Sequence, residues 1–156
     1  MTRPAGGTAG AMNTVARFIN TVTSRLDAVP YSVLALPLRL AIATVFWNSG
    51  LTKLANWDTT LTLFEDEYQL PLLPPAIAAW AAAGVELSTP PLLIAGFLVR
   101  PAAGLLLGMT AVIEVLVYPA AWSTHIQWAA MLLVLLCRGG GAVSLDSLMA
   151  RLWARR

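Results

Sequence analysis

The chain is poor in charge. Only 12% of its 156 residues are Asp, Glu, Lys or Arg, against about 25% in a soluble domain. It is equally poor in the residues that build redox and metal centres, with one cysteine, Cys137, and one histidine, His125. A single cysteine excludes an intrachain disulfide, a CxxC dithiol and a cysteine-ligated iron–sulfur cluster held by this chain alone. A single histidine excludes a bis-histidine haem within one chain. The net charge of +2 supplies no basic field for nucleic acid. No uninterrupted apolar core lies near the start of residues 1–30, so no cleavable signal peptide is expected and the first span serves as the insertion signal.

What the chain does have is apolar sequence, 58% of the total, arranged in runs long enough to cross a bilayer. The length suits one bundle. The reading is an all-α integral membrane four-helix bundle. It has amphipathic helices at both ends and a short interfacial helix between spans one and two. Residues 1–30 read as a polar tail (1–12, expected disordered) and an amphipathic surface helix. In that helix Val15, Phe18, Ile19, Val22, Leu26 and Val29 recur at helical spacing. Residues 31–138 form the bundle. Residues 139–156 form a C-terminal amphipathic helix, capped by Ser144 and striped by Leu145, Leu148, Met149, Leu152 and Trp153.

Span one is expected over Tyr31 to Thr52. After it, Asp58 is the expected N-cap of a short helix running through Tyr68. Span two covers about Pro75 to Val99 and contains Pro90-Pro91, which withhold helical partners from the carbonyls of Glu86 and Leu87. Span three starts at Pro101 and ends at Tyr118-Pro119. Its Gly104 and Gly108 form a GxxxG pair that permits close helix approach. Span four covers about Trp122 to Cys137. Arginines concentrate in the tails and at Arg100, all on one side of a four-span topology, with Lys53 on the other. That distribution predicts cytoplasmic termini. The six tryptophans read as interfacial belt residues, Cys137 as a packed small residue, and Glu65-Asp66-Glu67 as a solvated acidic face.

The chemistry lies in the few charges inside the spans. Each costs about 2.5–3.5 kcal/mol at bilayer depth, so Arg39, Glu86 and Glu114 are expected to face one another. Glu86 and Glu114 each stand fourteen residues from Arg100, about 21 Å along a helix, which puts them at a similar depth. The expected polar core is Arg39, Asn48, Lys53, Glu86, Glu114 and His125, in the outer half of the membrane. It reads either as a structural lock built on an Arg39–Glu86 ion pair, or as a site for a proton, a quinone headgroup or a polar solute.

An ordered set of residues resembles the DoxX family of small four-span bacterial membrane proteins. The set comprises Arg39, Gly50-Leu51-Thr52-Lys53-Leu54, Glu86, the Gly96…Arg100 end of span two, and Gly140-Gly141…Ser144-Leu145-Asp146. The segment from Ser49 to Pro75 is similar to the branch that accompanies copper-responsive modified peptides (bufferin-type clusters). The resemblance implies an accessory role in a redox or metal/oxidative-stress system, with no catalytic residue assigned. The chain itself supplies no cofactor and no metal site on this reading, and a bound quinone is the cofactor it admits. The partners it implies are the lipid bilayer and either a protein partner or a second copy of the chain. The alternatives are a small proton-coupled transporter using the intramembrane acids and a non-catalytic assembly scaffold. Arg39→Gln is expected to lower the yield of membrane-inserted protein more than Glu114→Gln, as quantified by immunoblot of washed membranes; equal yields would remove the structural role of Arg39.

Overall fold

A computed structural model of the chain describes residues 6–71 and 73–155. All regular structure in them is helical. By contacts the chain divides into two compact units, residues 1–31 and 32–156.

The first unit is α1, Gly6–Asp27. The helix starts earlier than the expected disordered tail allows, and residues 1–5 lie outside the described residues. Its apolar residues Val15, Phe18, Ile19, Val22 and Leu26 are exposed, like the polar residues between them. Thr21 and Thr23 return their hydroxyls to the carbonyls of Arg17 and Ile19, both at 2.8 Å.

The second unit contains the spans. α2 (Tyr31–Ala55) carries Pro37 in its second turn. α3 (Trp57–Thr62) is followed without a break by a π-helical turn, Leu63–Tyr68. α4 (Pro75–Ala95) continues past Pro90-Pro91 and stops at Gly96 in the left-handed region. α5 (Val99–Val112) widens into a second π-helical turn, Ile113–Val117. A short 3-10 turn, Pro119–Ala121, leads into α6 (Trp122–Arg138), and α7 (Leu145–Trp153) closes the chain. Four of these segments are long and apolar enough to cross a membrane: Tyr31–Ala55, Pro75–Ala95, Val99–Val117 and Pro119–Arg138.

Two local expectations are corrected. Asp58 is inside α3; Asn56 holds the N-cap position and bonds through no side chain. The GxxxG pair does not draw helices together at both glycines: a Cβ at Gly104 would meet Leu136 at 3.5 Å, but one at Gly108 would meet nothing within 4 Å. Ser144 does cap α7, accepting from the Ser147 amide at 3.2 Å.

The core joins small residues to large ones across four helices. Ile42, Ala43 and Phe46 of α2 meet Leu93 of α4, Val99, Ala102, Ala103 and Leu106 of α5, and Leu132 and Leu135 of α6. A second cluster seats Phe64 on Ala78 and Ala79, flanked by Trp57, Leu61 and Tyr68. It packs the α3 segment against the start of α4. The lipid-facing surface keeps its apolar side chains outward (Leu40, Leu51, Ile77, Leu105 and Leu133 among them), the inverse of a soluble surface.

Arg39 organises the end of the bundle where α4 meets α5. Its side chain is 2% exposed, and Nη1 donates to the Gly140 carbonyl at 3.2 Å. Around it the chain packs by omission of side chains. A Cβ at Gly96 would strike the Arg39 guanidinium, and one at Gly140 would lie 2.9 Å from both Ser144 and Val99. Asp146 ties the same region together. Its carboxylate accepts from the amides of Leu98 and Val99 at 2.8 and 3.0 Å, and its own amide donates to Gly96 O at 3.0 Å. Gly96 has φ of +72°, where a side chain costs about 1–2 kcal/mol before any clash. Gly96→Ala is therefore expected to lower the thermal midpoint of the detergent-purified protein by several degrees, whereas Gly84→Ala, whose Cβ meets nothing within 4 Å, should leave it level or higher; both are read from a melting curve.

Candidate functional site

At the opposite end of the bundle the helices part around a cavity of about 620 Å³. Its wall is aliphatic and aromatic, with Val45, Phe46, Ala82, Val85, Met109 and Trp128 contributed by all four spans. Gly104 and Gly108 also line it. With nothing near a Cβ at Gly108, the GxxxG motif here makes room for the cavity.

Two polar groups of side chains interrupt this wall. The first joins α2 to α4. Lys53 Nζ sits 2.9 Å from Glu86 Oε1, 2.8 Å from Oε2 and 3.0 Å from Ser49 Oγ, and Ser49 donates to Oε1 at 3.0 Å. The Glu86 side chain is 2% exposed and that of Lys53 17%. Such a charge is tolerated in hydrocarbon only because the ammonium and the carboxylate answer each other. Oε2 receives no well-directed hydrogen bond, so that buried oxygen keeps acceptor capacity in the wall of the cavity. Gly50 lets the two helices close at this level, since a Cβ there would come within 2.8 Å of Leu87.

The second group joins α5 to α6. His125 Nδ1 lies 2.6 Å from Glu114 Oε2, with the imidazole 6% and the carboxylate 18% exposed. Glu114 belongs to the π-helical turn, the kind of local widening that recurs at functional sites. The imidazole stacks obliquely on Trp128 at 5.1 Å, and Trp128 meets Phe46 edge-on at 5.6 Å. With Nδ1 engaged by the carboxylate, Nε2 is the ring nitrogen left for another partner.

Both π-helical turns contribute to the cavity lining, Phe64 and Tyr68 from the first and Ile113 and Val117 from the second. Tyr118, just after the second, donates to Glu67 of the first at 2.6 Å and lies 3.5 Å from the Tyr68 hydroxyl. The bond to Glu67, then that to Tyr68, then burial raise the Tyr118 phenol well above its ordinary range. It therefore stays protonated and donating throughout the physiological range.

Of the six residues expected to share one polar core, Lys53, Glu86 and His125 line the cavity and Glu114 stands behind His125. Arg39 does not join them. Glu86 is paired with Lys53, and the guanidinium of Arg39 lies beside Gly96, ten residues and about 15 Å further along α4. The Arg39–Glu86 ion pair expected for a structural lock is replaced by Lys53–Glu86. The reason is reach: Lys53, at the other end of α2, is level with Glu86. Asn48 is exposed, and Ser49, its neighbour on the sequence, takes the inward position. Trp128 is a wall residue, not a belt residue, and Cys137 is exposed. Ser49 and Trp128 could have been found by helical spacing. Ser49 is one turn before Lys53, and Trp128 one turn after His125. Glu67 and Tyr118 could not, because their meeting depends on two π-helical turns.

The buried pair sets an energetic test. Removing one partner of a buried ion pair costs about 3–5 kcal/mol, whereas replacing both by apolar groups is often neutral. Lys53→Met should therefore destabilise the purified protein strongly, and Lys53→Met/Glu86→Leu should recover most of the loss in the same thermal melt; additive losses would show that the pair is not coupled.

Comparison with known proteins gives one match. The family model for DoxX matches residues 34–119, which takes in α2 from Leu34 onward, α3, α4 and α5. Neither the curated proteins nor the solved structures contain a match.

Proposed function

The chain belongs to the DoxX family, and from that premise we propose that it binds a lipid-soluble quinone in the cavity between its spans. In this reading it serves as an accessory component of a redox or metal/oxidative-stress system of the bacterial inner membrane, with both termini cytoplasmic. The observation that carries the reading is His125, backed by Glu114, in the wall of a mostly apolar cavity of about 620 Å³.

The residues suit such a ligand. Pockets for small molecules are mostly apolar with a few placed polar groups, and this one has Phe46 and Trp128 for a flat ring. A quinone, when bound, supplies two-electron, two-proton chemistry. The chain's part is to hold the headgroup and move a proton. With Nδ1 engaged by Glu114, exchange is confined to Nε2 of His125. Protonated, Nε2 donates to a carbonyl oxygen; neutral, it accepts from a hydroxyl. Glu114 fixes the ring orientation, the role that a carboxylate behind a histidine commonly plays. Lys53 donates to Glu86 Oε1 and to Ser49, and Oε2, held near the ammonium at 2.8 Å, keeps acceptor capacity for the ligand.

The cavity can be filled without disturbing the fold, because Gly108 faces open space. A short-chain quinone titrated into the purified protein is expected to quench Trp128 fluorescence saturably. Gly108→Leu should abolish the saturable part while keeping the melting curve, and His125→Ala should weaken binding by about tenfold, the value of one good hydrogen bond. Linear, unsaturable quenching that is equal in the parent protein and Gly108→Leu would overturn the reading.

A further inference from the structure

A second, shallower cavity of about 440 Å³ lies at the Arg39 end of the bundle, between the α4–α5 turn and the segment that follows α6. Its walls bring together Arg100, from the first turn of α5, and Arg138, from the last turn of α6. Between them runs Gly139-Gly140-Gly141, without side chains; Gly139 and Gly141 have φ of 74° and 78°. A Cβ at Gly139 would lie 3.4 Å from Arg100 Nε, so the Arg100 side chain packs over Gly139. One of its donors is fixed on the Cys137 carbonyl at 3.3 Å, which points the group toward the end of α6. The remaining donors can serve a ligand in a planar fork.

The acid in the same cavity, Asp146, is turned into the α4–α5 turn, where Leu98 and Val99 donate to it. Ser144 and Ser147 donate to the carbonyls of Gly141 and Ala142 at 2.6 and 3.1 Å. Arg100 and Arg138 are both exposed. Both stand at the ends of spans, and below them the surface is aliphatic and exposed: Leu105 of α5, and Leu133 and Val134 of α6. Val134 is one turn below Arg138 on the same face. Two guanidinium groups at the end of a span pair, above a strip of exposed aliphatic side chains, match a phosphodiester with acyl chains attached. Basic pockets between spans take anionic headgroups in this way.

We propose that this cavity binds the phosphate of an anionic glycerophospholipid, with Arg100 and Arg138 on the phosphate and the acyl chains along α5 and α6. The site is independent of the quinone cavity. The competing role for the two arginines is to neutralise the carbonyl end of α6, which would be insensitive to the lipid supplied. The full chain, purified and delipidated in a nonionic detergent, is melted with phosphatidylglycerol, with phosphatidylcholine and with inorganic phosphate. Phosphatidylglycerol should raise the midpoint by about 5 °C at a hundredfold excess over Kd, and phosphatidylcholine should not. Arg100→Gln/Arg138→Gln should lose that increment, and Arg151→Gln/Arg155→Gln should keep it. An equal increment from phosphatidylcholine, or one retained in Arg100→Gln/Arg138→Gln, overturns the proposal. An equal increment from inorganic phosphate overturns the lipid as its source and leaves a free-anion site. Should the double variant fail to fold, native mass spectrometry of the parent protein in an equimolar lipid mixture decides: retention of phosphatidylglycerol over phosphatidylcholine supports the site, and indifference overturns it.

Discussion

A carboxylate in hydrocarbon must have a partner, and the bundle is built around that requirement. Glu86 is almost wholly enclosed and is answered by Lys53 and Ser49 across α2 and α4. Because the pair has to form, α2 and α4 must approach at that level, and Gly50 is the residue that permits it. Glu114 imposes the same condition on α5 and α6 through His125. The helices are therefore joined in pairs by polar bonds at one end. At the other end they are joined by Arg39 on Gly140 and by Asp146 on the α4–α5 turn.

Between these fastenings the middle of the bundle is filled by ordinary packing of Ile42, Phe46, Leu93, Leu106 and Leu132. The cavity opens where that packing gives out. Gly104, Gly108, Ala81 and Ala82 supply too little volume to fill the space between the spans, and the two π-helical turns contribute to its lining. A void of this size would ordinarily be a large cost in a core. Placing it beside two polar pairs, with an aromatic wall on one side, is the arrangement of a binding site.

The four spans were legible from the length and polarity of the apolar runs, since hydrocarbon leaves the backbone no alternative to helix. The cap at Ser144 was legible for the same local reason. The intramembrane charges could be named as mutually dependent, but their pairing could not be read. Periodicity gives the face of a helix and approximate depth, and it does not say which neighbour is level. Arg39 looked like the partner of Glu86 because it was the one arginine inside a span. Its long side chain instead serves a loop a hundred residues later in the sequence, shaped by glycines at 96 and 140. The π-helical turns carry no recognisable local signature, so the Tyr118–Glu67 contact and the exact framing of the cavity were out of reach.

Arg39 and Lys53 fasten α2 at two levels fourteen residues apart, about 21 Å along the helix. A helix held at one point can slide past its neighbours when the surrounding bilayer thins or thickens. One held at two cannot, because either bond would have to break. Hydrophobic mismatch is then absorbed by tilting of the whole bundle or by deformation of the lipid around it. The cavity, bounded by the same fastened helices, keeps its dimensions in membranes of different thickness.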